Sequence, residues 1–176
     1  MKNTIFTILI LAVTCPDSRA QQSASASQLI TVELEPTIQI TSVNTSNVNL
    51  GFSSVNNYIN GVESAQQQFM VHSNRDFVVN VRTNSPVFSY SGNAFPSPEM
   101  PVNNTLFLTV SENNTGGNIA GAFQSYAPLS ANPCDLLLNC KNGDNKTFSV
   151  NYRAKPGTEF PAGDYTVGVI YTTTQP

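Results

Sequence analysis

Apolar residues recur at every second position along several separate stretches of this chain, and no stretch keeps the three-to-four spacing of a helix. Residues 77–83 place Phe77, Val79 and Val81 on one side. Leu106, Leu108 and Val110 repeat the pattern, as do Phe148, Val150 and Tyr152, and then Tyr165, Val167, Val169 and Tyr171. Side chains alternate faces along a strand, so each run reads as a strand with one buried face. Between the runs stand turn-forming segments: Asn60-Gly61, the irregular stretch 91–101 with three prolines, Gly116-Gly117, and the long turn 155–164. Short alternating strands separated by such turns predict an all-β antiparallel β-sandwich. Two strands joined by a turn at Ser73-Asn74 are expected over 66–84, and "VNLGF" (48–52) reads as a short strand. Residues 53–64 read as loop, and 119–146 show no clear period.

With 176 residues the chain suffices for one ordinary domain. Lys2, the apolar run Ile5–Val13 and the small residues Ser18 and Ala20 make a secretory signal peptide over 1–20, cleaved after Ala20. That run is too short to span a membrane as a helix. A lipid anchor at Cys15 is the competing reading, weakened by Thr14 where a small Gly or Ala is expected. The following QQSASAS is a small, polar leader. Residues 21–36 are thus set apart as leader plus a candidate arm, and 37–176 as the sandwich domain.

Net charge is −3 and only 11% of residues are charged. A nucleic-acid partner needs a basic face to neutralise phosphates, and this balance argues against one. After cleavage two cysteines remain, Cys134 and Cys140. In an exported chain an isolated pair most simply forms one disulfide, worth roughly 2–3 kcal/mol for so short a loop.

The stretch "QLITVELEPTIQIT" (28–41) alternates strictly, with Ile30, Val32, Leu34, Ile38 and Ile40 on one side and Thr31, Glu33, Glu35, Thr37 and Gln39 on the other. Pro36 stands in its middle, and proline cannot donate to a sheet ladder. Either one strand bends at Pro36, or two strands with different roles meet there.

Catalytic signatures are sparse. His72, the single histidine, alternates with Phe69 and Val71 and so faces away from the core. Glu33 and Glu35 share a strand face, but nothing around them separates their acidities as paired glycosidase carboxylates require. "NGDNK" (142–146) lacks the ligand spacing and closing Glu of a calcium loop. The residues call for no metal and no cofactor, and the chain is expected not to be an enzyme. Asn44, Asn103, Asn113 and Asn145 lie in N-x-[ST] patterns. Leu136, Leu137 and Leu138 read as loop leucines tucked under the sandwich.

The order of pieces resembles the spore coat U-like subunits of archaic chaperone–usher pili and related bacterial surface β-sandwich domains. The resemblance rests on the leader and "ITVELEPTIQI", on "NLGF", on "VHSNRDFVVNVRTN", and on the closing "FSVNYRAKPGTEFPAGDYTVGVIYTTT" with Pro161-Ala162-Gly163-Asp164-Tyr165. The family usually carries cysteines where Ile38 stands and near Ser73; this chain does not. The resemblance implies an immunoglobulin-like sandwich lacking one strand, exported through a bacterial periplasm to the cell surface. Its partners would be a periplasmic chaperone, an outer-membrane usher and other subunits of its kind. Residues 28–35 would then be a donor strand presenting Ile30, Val32 and Leu34 to a neighbour, with Pro36 as the hinge. The alternative is a self-contained secreted sandwich that binds carbohydrate or another surface ligand, with 28–43 as one bent strand.

Overall fold

A computed structural model of the chain describes residues 22–44 and 47–176. The signal-peptide expectation and the question of Cys15 fall outside the described residues. The chain separates into residues 1–34 and a compact unit, Glu35–Pro176. Within the first, residues 22–34 form no helix or strand. Leu29, Ile30, Val32 and Leu34 there are 76–91% exposed.

The compact unit is an antiparallel β-sandwich. Its strands are β1 (Ile38–Ser42), β2 (Val62–Glu63), β3 (Gln67–Ser73), β4 (Phe77–Thr83), β5 (Ser89–Ser91), β6 (Leu106–Asn113), β7 (Asn118–Ile119), β8 (Ala127–Pro128), β9 (Cys134–Cys140), β10 (Gly143–Ala154), β11 (Asp164–Thr166) and β12 (Val169–Thr174). One sheet runs β1-β3-β10-β6-β8, with β2 on the far end of β10; the other runs β12-β4-β9-β7; β11 and β5 make a separate ribbon. The order β1-β3-β10-β6 is the A-B-E-D order of an immunoglobulin sandwich, and β12 beside β4 is F beside C. The place of strand G, beyond β12, has no occupant among the described residues. Among the described residues the strand order is therefore immunoglobulin-like, with no strand beyond β12.

Alternation builds the core. Phe77, Val79, Val81 and Thr83 of β4 are buried while the residues between them are not. Leu106, Leu108 and Val110 of β6 do the same. Phe148 and Val150 complete the facing layer at 0% exposure. The turn before the last strands is pinned from within. The Tyr165 hydroxyl donates to the Pro161 carbonyl at 2.8 Å, the back-bonding of a tyrosine corner. The Tyr90 hydroxyl donates to the Ala162 carbonyl at 3.0 Å. A Cβ on Gly163 would lie 2.4 Å from the Tyr90 ring, so glycine is required there for the backbone to lie on that ring.

Three local expectations are corrected. "VNLGF" is not a strand; Leu50 and Phe52 pack on the core from an irregular segment. Residues 53–64 contain a helix, α1 (Val55–Asn60), capped by Ser54, whose side chain accepts from the Asn57 N–H while Asn57 bonds back. The cysteine loop is strand β9, and Leu136 and Leu137 are both buried because the β4–β9 register shifts next to them.

That last correction removes the disulfide. Cys134 and Cys140 are both free, one exposed and one buried. They cap opposite ends of β9, and six steps of extended chain separate them by roughly 20 Å. A disulfide needs Cα atoms within about 7 Å.

Candidate functional site: the seam between two open strand edges

The two sheets end differently on their two sides. On one side the edge strands are β8 and β7, two residues each, with Pro128 in β8. Short edges and prolines are how sheets avoid adventitious pairing. On the other side the edges are β1 and β12, five and six residues long. Among the described residues β1 pairs only with β3, and β12 only with β4.

Hydrogen-bond alternation shows which groups these edges present. The Thr37 carbonyl accepts from the Asn74 N–H, and the Val43 N–H donates to the Gln68 carbonyl. Odd-numbered residues of β1 therefore face β3, leaving the backbone groups of Ile38 and Ile40 directed outward. In β12 the Gly168 carbonyl accepts from the Asn84 N–H. Residues 170, 172 and 174 therefore face β4, and Val169, Tyr171 and Thr173 present theirs to the open side.

The side chains of these same residues turn inward. Ile38, Ile40, Phe69, Val169 and Tyr171 pack on the core yet stay only partly buried. Phe69 of β3 meets Tyr171 of β12 at 4.3 Å between ring centroids, bridging the sheets. Deeper in, the Tyr152 and Tyr171 hydroxyls share a 2.7 Å hydrogen bond. Burial pushes the Tyr152 hydroxyl up to about 12, and burial first, with its Tyr152 neighbour second, raises Tyr171 well above the ordinary tyrosine value.

Where β1 begins, a polar clamp holds the chain. The Asn74 side-chain amide donates to the Glu35 carbonyl at 2.7 Å and its oxygen accepts from the Thr37 N–H at 2.9 Å. The Gln175 side chain donates to the Thr37 carbonyl at 2.8 Å, joining the two edges. Pro36 lies between the clamped residues at an outward-facing position, so its missing N–H removes nothing from the β1–β3 ladder.

The structure separates the sequence-predicted residues into groups. Ile30, Val32 and Leu34 are exposed and in no ladder, and Pro36 is at the clamp. Cys134 and Cys140 lie on β9, away from the seam in sheet order. His72 is on the outer face of β3, its Nδ1 3.5 Å from the Asp144 carboxylate, with both side chains well exposed. The Lys141 ammonium lies 2.7 Å from Asp76 and, as its main cause, holds that carboxyl below the usual range. Among the described residues no three His, Cys, Asp or Glu side chains gather as metal ligands. No helix there is long and apolar enough to cross a membrane. The seam itself escaped sequence reasoning, although its inward residues lay within the alternating runs.

No family model and no curated protein matches the chain. One solved structure with which it shares some likeness is a family 123 glycoside hydrolase from Clostridium perfringens, analysed for glycolipid glycan hydrolysis. Identity is 15% and the TM-score 0.37; the match covers 78% of this chain and 24% of that one. The chain thus spans about a quarter of that structure's length. The expectation that the chain is not an enzyme is withdrawn on this finding, since the likeness is to an enzyme. A likeness this weak brings no active-site residue with it.

Proposed function

We propose that the chain is an exported surface subunit that assembles into a fibre by strand donation. It resembles spore coat U-like pilus subunits in this reading. The observation that carries it is the pair of long open edges, β1 and β12, on the same side of the sandwich, with half-buried apolar side chains between them. Open edges and exposed apolar grooves call for a partner.

The partner's chemistry is that of residues 28–35. Ile30, Val32 and Leu34 alternate with polar residues and are largely exposed. Added as a strand, such a segment gains main-chain hydrogen bonds along the edge and seats alternate side chains inward. Fully burying three aliphatic side chains contributes about 1.5–3 kcal/mol each. A further support is that Ile38 and Ser73 are partners across the β1–β3 ladder. These are the positions at or near which the resembling family carries its cysteines, and outward-facing pairs of this kind bring Cα atoms to about 4.5 Å. Other copies of this chain, a periplasmic chaperone and an outer-membrane usher are the partners this reading implies.

The carbohydrate-binding alternative needs aromatic faces free to stack. Tyr90 and Tyr165 have hydroxyls committed to the backbone and rings packed on each other at 5.0 Å. Deleting residues 21–35 tests the proposal: the shortened chain should stay monomeric by light scattering where the mature chain forms polymers. Polymers that persist unchanged after the deletion refute it.

A further inference from the structure

Arg82 lies on the outer face of β4, between the buried Val81 and Thr83, and is the ladder partner of Ile170 on β12. With Asn80, Pro133, Ile170, Thr172 and Thr174 it lines a surface depression of about 230 Å³ that reaches to the β12 edge. Among the described residues Arg82 enters no ion pair. The acid nearest in the ladder, Asp135, is engaged by the Asn80 amide at 2.9 Å.

The donated segment carries two acids, Glu33 and Glu35, both on the face opposite Ile30, Val32 and Leu34. An inserted strand with those aliphatics turned inward has to turn both carboxylates to the outer face. Every ladder in this sandwich is antiparallel. Antiparallel pairing that sets Leu34, Val32 and Ile30 against Val169, Tyr171 and Thr173 uses all three outward-facing β12 positions. That register puts Glu33 opposite Ile170, two strand spacings, about 9.6 Å, from the β4 backbone at Arg82. Two long side chains on one face close such a span.

We propose that Arg82 fixes the register of the incoming strand by pairing with Glu33 of a second copy of this chain, so that the seam is specific for its own arm. This rests on the strand-donation reading above. A slip of one residue would turn the acids inward; a slip of two moves Glu33 off Arg82, and the slip that would bring Glu35 opposite Ile170 instead sets Pro36, which has no N–H to donate, against Val169. Opposite charges across such a contact select partner and register more than they add affinity.

The experiment is polymer growth of the full mature chain, refolded from denaturant at rising concentration and followed by light scattering. Arg82→Glu and Glu33→Arg should each slow growth by about 3- to 10-fold, as expected for reversing one exposed pair. The double reversal should recover most of the loss. Arg82→Gln should fall between wild type and Arg82→Glu, with unchanged circular dichroism showing that folding is intact. If the wild-type chain polymerises and neither single reversal slows it, or the double reversal fails to recover, the role of Arg82 is overturned while strand donation stands. If the wild-type chain stays monomeric at every concentration, strand donation itself falls, and the Arg82 pairing with it.

Discussion

At the scale of single residues the seam is anchored by the Tyr152–Tyr171 pair. Each hydroxyl is satisfied by the other at 2.7 Å. Tyr171→Phe leaves the buried Tyr152 hydroxyl without that partner, and an unsatisfied buried polar group costs about 1–3 kcal/mol. Replacing both tyrosines by Phe should cost less than the two single changes summed, because neither hydroxyl is then stranded. Urea denaturation of the three variants measures this. Equal, additive losses would mean that the pair is not coupled. The same pair sets an alkaline limit. Tyr152 titrates at about 12 in the folded chain against an ordinary 10. A raised value means that the neutral form is favoured by folding. The contribution is then whole below pH 10 and is lost as pH rises through 12. The urea midpoint should fall over that interval, and Tyr152→Phe should flatten the fall.

At the scale of elements, β9 carries the clearest lesson about what sequence reveals. Its two cysteines invited a disulfide because they read as the isolated pair of an exported chain, joined by a short loop. The segment is extended instead, and Leu136 and Leu137 are both buried by a register shift that no alternation pattern can display. Where the period was clean, as in β4 and β6, residue faces were legible from the sequence alone. Where the fold uses a bulge, such as the shift between Gly143 and Lys146 in β10, or an irregular packed segment such as Leu50–Phe52, the pattern was lost. Helix α1 hid for another reason: at six residues it is too short to show a period. The thiols give a direct check. In the native chain Cys134 should react with a thiol reagent and Cys140 should not; its thiol is raised mainly by burial. Both should react on unfolding without prior reduction. A native chain with no reactive thiol, acquiring two only after reduction, would restore the disulfide.

At the scale of the whole molecule, one side of the sandwich is closed and the other left open. The closed side ends in two-residue strands and a proline; the open side ends in β1 and β12 with half-buried apolar side chains behind them. The all-β class and most strands were readable from periodicity. The placing of the first and last strands of the compact unit side by side along one seam was not, because it depends on which edges the other strands leave free. On the proposed strand-donation reading that open side is the joint of a fibre, and the proposal makes a prediction amide by amide along β12. Hydrogen exchange of the mature chain, compared between dilute monomer and polymer, tests it most directly. The Ile170, Thr172 and Thr174 amides, which face β4, should be protected in both states. The Val169, Tyr171 and Thr173 amides should exchange freely in the monomer and become protected in the polymer. Amides at those three positions that exchange equally fast in both states would contradict donation of a strand to this edge.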